Sequence, residues 1–272
     1  MSHDVRTPIN GIQGCVDIAD RYPDDLKLQQ EARTKIRTAS GYLLNLVNDV
    51  LDMNKLESGN IQLERKHFNL LEVLHNTNEI IRVQANESGV NYYVEDGEII
   101  HTQLIGSPVH FQQILMNIGS NAVKYNQDGG SVTVSCREVS YTDTTAEYEL
   151  TCTDTGIGMS EEFQKRAFEP FAQEGQSART KYAGTGLGLA IARKLTELQG
   201  GTLFFDSIQG KGTKFILRIP FEISAEEQEK KSHMYQNCSV EGVQVLLVED
   251  NELNMEIAEF LLKEEKMKVT KA

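Results

Sequence analysis

From Leu26 to Ser58 the chain runs without a proline, and Ile36, Ser40, Leu43, Val47, Val50 and Asn54 alternate four and three residues apart. That spacing keeps one side of a helix against other helices, as in a coiled-coil seam. Gly59 follows, and glycine accepts the left-handed conformation that ends helices. A shorter helical pattern covers Pro8 to Asp20, and Arg21-Tyr22-Pro23-Asp24-Asp25 reads as a turn between the two. The segment is therefore expected to be a helical hairpin. If Arg21 faces Leu26, paired residue numbers sum to about 47, so His3 lies near Leu44. Residues beyond Val47, roughly 16 Å of helix at about 1.5 Å per residue, then lack an antiparallel partner. The hairpin is thus expected to be truncated at its N-terminus.

After Ile61 helical and alternating patterns intermix. Leu70 to Ala85 and Pro108 to Lys124 are expected helices, the second with Ser107 as N-cap and Pro108 at its first position. Period-two patterning marks strands over 131–137, 147–153, 201–206 and 212–219. Strands mixed with helices on one side predict an α+β fold, a two-layer α/β sandwich. The organisation expected is 1–60 hairpin, 61–223 sandwich, 224–242 polar linker and 243–272 a further fragment.

The chain has 272 residues, room for about two domains of ordinary size. Its net charge of −13 argues against duplex nucleic acid as the main partner, since phosphate backbones are held by clustered Lys and Arg. No apolar run approaches the roughly 20 residues of a membrane helix, and the first residues lack the regions of a secretory signal. Cys15, Cys136, Cys152 and Cys238 show no metal or redox spacing and read as reduced cytoplasmic thiols. Cys136 and Cys152, in expected strands, read as small buried hydrophobes.

Four short segments carry the chemistry. On the Pro108–Lys124 helix, Asn117, Asn121 and Lys124 fall on one stripe, where two amides and an ammonium can hold a divalent cation and phosphate oxygens; without the later segments, the stripe reads as a solvated polar face. Asp154 ends a strand, and Gly156 and Gly158 follow it; the carboxylate can accept a hydrogen bond from an amino group while the glycines admit close backbone approach. Phe168-Glu169-Pro170-Phe171 is by default a core anchor. Gly184-Thr185-Gly186-Leu187-Gly188 is a glycine-rich turn feeding a helix, whose first amides suit phosphate. A Rossmann loop would need a strand directly upstream, and Gln173 to Ala183 is polar instead.

In this order, the segments resemble the nucleotide site of the sensor histidine kinases, which share an ATPase superfamily with Hsp90-type chaperones, DNA gyrase and mismatch-repair ATPases. Ser2-His3-Asp4-Val5-Arg6-Thr7-Pro8 resembles the phosphoacceptor motif of the kinases. The resemblance implies a dimeric four-helix bundle formed by two hairpins. It makes His3 the phosphoacceptor, Asp4 its general base, and Thr7 the residue that assists dephosphorylation of a partner's phosphoaspartate. It makes Asn121 the ligand of Mg²⁺, with Asn117 beside it, and puts Lys124 and Tyr125 by the phosphates and ribose of ATP. Asp154 reads adenine, and Gln173 to Ala183 forms a lid in which Arg179 and Lys181 either meet the terminal phosphate or stay solvated. Local rules conflict at one point, making Thr7 an N-cap and Pro8 the first helical residue, whereas the family runs the helix through His3.

Val243 to Val248 followed by Glu249 and Asp250 resembles the start of a response-regulator receiver domain, with only one strand and one helix of a doubly wound fold expected before Ala272. The implied activity is ATP-dependent autophosphorylation of His3 and transfer to a receiver aspartate, in the cytoplasm, within a hybrid kinase. Two alternatives remain at this point. One is a chaperone- or repair-like conformational ATPase, disfavoured by the His3 motif and by the lack of a glutamate in the Asn117 helix. The other is a kinase-inactive module that binds a regulator. His67 and His233 are given no role.

Overall fold

The computed structural model describes residues 2–59, 61–174, 185–224, 242–248, 252–264 and 266–271. Contacts divide the chain into two units, Met1–Glu227 and Gln228–Ala272.

The first unit opens with a helical hairpin, α1 (Ser2–Arg21) and α2 (Leu26–Glu57). Asp25 caps α2, its carboxylate accepting from the amides of Lys27 and Leu28 at 3.0 Å. Gln29 ties the helices by donating to the carbonyls of Ala19 at 2.6 Å and Tyr22 at 3.1 Å. Gly59 takes φ 69°, as expected of the residue beyond the cap. The conflict at Pro8 is resolved in favour of the continuous helix that the resemblance implies. The helix runs from Ser2 through Pro8, so Thr7 is not an N-cap; proline removes one amide donor from the helix, and neighbouring turns continue around it. The buried stripe of α2 is Ala32, Leu46, Met53 and Leu56, while Val47 is 44% exposed. Alternating four-three spacing fits two adjacent stripes equally, and packing on α1 and the sandwich selects the one through Leu46. Leu44, Val47 and Leu51 form a second, exposed apolar stripe.

The sandwich follows: β1 (Lys66–Asn69), α3 (Leu70–Glu87), β2 (Asn91–Glu95), β3 (Gln103–Gly106), α4 (Pro108–Lys124), β4 (Ser131–Tyr141), β5 (Thr145–Asp154), α5 (Glu161–Gln164), α6 (Gly188–Leu198), β6 (Thr202–Ile208) and β7 (Gly212–Ile223). The strands form one mixed sheet in the order β1-β3-β7-β5-β4-β2, with β6 also paired to β7. Among the described residues of this sheet β2 and β4 run parallel and the other pairs antiparallel; β4 and β5 pair from Val132↔Asp154 to Tyr141↔Ala146, with an irregularity between Glu138 and Ser140. The strands outrun the expected ones because their ends alternate weakly yet still find partners, as at Ser140↔Glu147 and Thr145↔Glu222.

The helices pack on one face of this sheet, where alternate strand residues such as Val132, Leu150, Phe215 and Leu217 are buried with Ile114 and Ile118 of α4 and Ile191 and Leu195 of α6. Each such side chain contributes about 1.5–3 kcal/mol by leaving water. Phe221 meets Phe68 and Phe111 edge-on, each at 5.2 Å. Cys136 and Cys152 are buried, and burial pushes both thiols up to about 12, so they behave as the hydrophobes expected. Ser107 is the N-cap of α4 by position, but its hydroxyl bonds His110 Nδ1 at 2.7 Å instead of a backbone amide.

The second unit contains β8 (Gln244–Leu247), α7 (Glu252–Glu264) and β9 (Lys268–Lys271). β8 and β9 pair in parallel, Val245 opposite Val269. This corrects the expectation of one strand and one helix: α7 returns the chain, and Lys268–Lys271 supplies a short strand that the four-residue run Lys-Val-Thr-Lys signals too weakly. Glu249 and Asp250, and the expected linker over 225–241, lie outside the described residues.

Candidate functional site

A cavity of about 560 Å³ opens between α4, the end of β5, the turn before α6 and the C-terminal half of α2. It falls within the usual range of ligand pockets. Asn117, Asn121, Lys124 and Tyr125 line one wall, brought together by the helical spacing of α4 and its C-cap at Tyr125.

Asp154 forms the inner end. Its Oδ1 accepts from the backbone amides of Gly156 at 2.8 Å and Thr213 at 3.2 Å, which fixes the carboxylate while Oδ2 takes part in neither bond. Burial raises its pKa to about 6 against the opposing pull of those amides. Gly156 packs where a methyl would overlap the Tyr125 carbonyl oxygen, so side-chain absence there is a matter of space. Gly158, also on the cavity wall, has φ 62°.

Lys124 Nζ donates to the Tyr125 hydroxyl at 3.2 Å and lies 4.7 Å from its ring centre. Burial lowers the Lys124 pKa to about 8. Asn117 Nδ2 is buried without a hydrogen-bond partner. An orphaned amide costs roughly 1–3 kcal/mol, so Asn117 is a group awaiting an acceptor in the cavity it lines.

Of the glycine-rich turn, Thr185, Gly186 and Gly188 line the cavity, and Gly186 has φ 71°. Leu187 is fully buried instead, an anchor beneath the turn. Arg179, Lys181 and Gly184 lie outside the described residues. Phe168 packs against Phe205 at 5.3 Å with Arg193 over its ring at 4.8 Å, an anchor as expected, away from the cavity.

Of His3 and Asp4 only the helical backbone is described, and Thr7 is exposed on α1. Among the described residues the site thus gathers the α4 stripe, Asp154 and the glycine turn.

Sequence reasoning missed the contribution of α2. Tyr42, Asn45, Asn48, Asp49 and Asp52 line the same cavity. Asp49 Oδ2 accepts from the Thr185 hydroxyl at 2.7 Å, and Asp52 Oδ2 accepts from Gln113 at 2.8 Å. Burial raises the Asp49 pKa, with Asp52 adding to it. The signal was present: Asn45, Asn48, Asp49 and Asp52 recur three and four apart, a polar face on a helix otherwise read only for its apolar seam.

The donor set is oxygen and amide in character, and among the described residues no cluster of three or more His, Cys, Asp or Glu could hold a metal alone. Amide oxygens of Asn117 and Asn121 fit a hard cation that takes its other ligands from phosphate and water. Among the described residues no helix is long and apolar enough to cross a membrane.

Two families match. "His Kinase A (phospho-acceptor) domain" covers residues 1–59, and "Histidine kinase-, DNA gyrase B-, and HSP90-like ATPase" covers 106–223. Autoinducer 2 sensor kinase/phosphatase LuxQ of Vibrio cholerae is 33% identical over 264 residues, 95% of this chain and 30% of LuxQ. Hybrid signal transduction histidine kinase A of Dictyostelium discoideum is 35% identical over 230 residues, 81% of this chain and 10% of that protein. The crystal structure of full-length ShkA in complex with AMPPNP has a TM-score of 0.61 and 25% identity, covering all of this chain and 54% of ShkA. The chain spans about 30% of the length of LuxQ. It joins a phospho-acceptor domain to an ATPase domain of the kinase, gyrase and Hsp90 type, and it belongs to the sensor histidine kinases.

Proposed function

We propose that this chain is the catalytic core of a hybrid sensor kinase that transfers the terminal phosphoryl group of ATP to His3, and from there to a receiver aspartate. The observation that carries the reading is one cavity in which a backbone-pinned carboxylate, Asp154, faces the amide and ammonium stripe of α4. Adenine's amino group donates to the free oxygen of Asp154. Lys124 and Tyr125 meet the phosphates and ribose, Gly186 and Gly188 admit the phosphate chain to the start of α6, and Arg179 and Lys181 neutralise the terminal phosphate.

Mg²⁺ fits this site because the amide oxygen of Asn121, with that of Asn117 beside it, would hold a hard cation, while the orphaned Asn117 Nδ2 would donate to a phosphate oxygen. The ion would neutralise charge on the phosphates. A ring nitrogen of His3 forms the new bond to phosphorus as the bond to the β-phosphate oxygen breaks and ADP leaves. Asp4 orients the imidazole and takes its proton. Thr7 assists hydrolysis of the regulator's phosphoaspartate.

The division proposed is 1–60 hairpin, 61–223 ATP-binding domain, 224–242 linker and 243–272 a receiver-like segment. The exposed Leu44, Val47 and Leu51 stripe supports a homodimer built through the hairpin. The parallel β8-α7-β9 unit supports the receiver assignment. The proposed setting is cytoplasmic, with a receiver domain as protein partner.

Incubation with γ-labelled ATP tests the reading. The native chain should acquire acid-labile, base-stable phosphate, and His3→Gln should lose it while binding ATP normally. Label retained by His3→Gln would move the acceptor elsewhere; ATP binding without label in the native chain would favour the regulator-binding module.

A further inference from the structure

A second cavity, of about 280 Å³, lies inside the sandwich between α3, α4 and the sheet. Protein interiors pack as densely as organic crystals, and engineered apolar voids of roughly 150 Å³ already admit benzene. Its deep wall is apolar: Ile81, Ile118, Phe215 and Leu217 are each no more than 4% exposed, with the protonated thiols of Cys136 and Cys152 beside them.

The exposed members of its lining combine apolar Leu71 and Val94 with acidic groups. Glu95 ends β2 and Asp96 follows it, both exposed and in the lining, as is His75 of α3. No lysine or arginine is among the described residues that line it. An apolar chamber behind two carboxylates is complementary to a compact apolar body carrying an amine and rejects anions.

The chamber also shares structure with the first cavity. Leu115, Ile118 and Gly119 of α4 line it, while Met116, Asn117 and Asn121 of the same helix line the other, and Phe215 touches both. A methyl at Gly119 would meet the end of the Ile81 side chain, so α4 and α3 approach closely at this point. We infer that this chamber is a binding site for a small apolar amine, and that occupancy acts through α4 and Phe215 on the affinity of the first cavity for nucleotide. Coupling of this kind is reciprocal between two binding equilibria.

Methyl NMR of the full chain with phenethylamine, ethylbenzene and phenylpropionate separates the contributions of body and charge. Phenethylamine should give saturable shifts at Leu115, Ile118 and Ile81, ethylbenzene weaker ones and phenylpropionate the weakest. Leu74→Phe, which extends a side chain of the lining into the space, should abolish them. The double variant Glu95→Gln, Asp96→Asn alters only exposed side chains and should bring phenethylamine down several-fold, to the level of ethylbenzene. At saturation the amine should change the affinity for AMPPNP several-fold, with the same factor in reverse. No saturable shift with any probe, tighter binding of the anion, or full amine affinity in the double variant would overturn the site. Saturable binding with AMPPNP affinity unchanged would overturn the coupling.

Discussion

The Thr185 hydroxyl, in the glycine-rich turn, donates to Asp49 Oδ2 of α2 at 2.7 Å. The hairpin that carries the phosphoacceptor therefore touches the nucleotide cavity directly, and it does so with a carboxylate. Asp49 and Asp52 bring negative charge to a cavity proposed to receive a polyphosphate. Asp49→Asn keeps an oxygen acceptor for Thr185 and removes one charge. ATP affinity should rise several-fold, about 1 kcal/mol for a partly screened charge at this range. Calorimetry finding weaker binding would mean that the Asp49 charge is needed to hold the turn.

Asp154 and Lys124 set opposite limits on pH. Burial raises the Asp154 pKa to about 6 and lowers that of Lys124 to about 8. Below about 6 the carboxylate gains a proton and becomes a poorer acceptor for the adenine amino group; above about 8 the lysine loses the charge that attracts phosphate. ATP affinity should peak between these values. Adenosine, which has no phosphate, should show the acid limb alone. The raised Asp49 pKa works against that limb for ATP, since protonating Asp49 removes a repulsion, so the Asp49→Asn background should show the acid fall more steeply. An adenosine affinity flat from pH 5 to 7 would detach adenine from Asp154.

Asp154→Asn replaces a pure acceptor by an amide that presents either an oxygen or a donor. Since Gly156 and Thr213 already claim one oxygen, the amide NH₂ would face the adenine amino group, donor against donor. Binding should fall by a few kcal/mol, the cost of leaving buried groups unpaired. Unchanged affinity by calorimetry would remove Asp154 from the site.

Much of this was legible because short-range chemistry fixed it. Pro108 at the head of α4 and the three-four spacing of Asn117, Asn121 and Lys124 predicted a wall that the structure builds. The role of α2 was hidden because its polar face acquires meaning only when the sandwich folds against it, a contact between residues far apart in the chain such as Asp52 and Gln113. The choice between the Leu46 and Val47 stripes is of the same kind, since helical periodicity fixes a face only to within one residue until a partner is present. At Pro8 two readings conflicted and the continuous helix prevails: proline favours the first helical turn, but α1 begins six residues earlier, at Ser2.

Gly158 joins φ 62° to a position where a methyl would overlap the Ile208 carbonyl oxygen. Gly158→Ala should cost about 2–4 kcal/mol from left-handed strain and overpacking together. Urea denaturation reads the loss directly, and ATP binding should weaken with it because the loop lines the cavity. A variant of native stability would show that β6 and the loop yield freely to the added methyl.

Thr7 is exposed inside α1, five residues beyond its start at Ser2, so it does not hold the N-cap position, and Thr7→Ala should lower stability by about 1 kcal/mol or less. If its hydroxyl serves hydrolysis of a partner's phosphoaspartate, the variant should autophosphorylate at the native rate while dephosphorylating the regulator slowly. The two activities separate the roles. Loss of both in proportion, with unchanged ATP affinity, would mean that Thr7 shapes the helix around His3 and has no separate part in the phosphatase reaction.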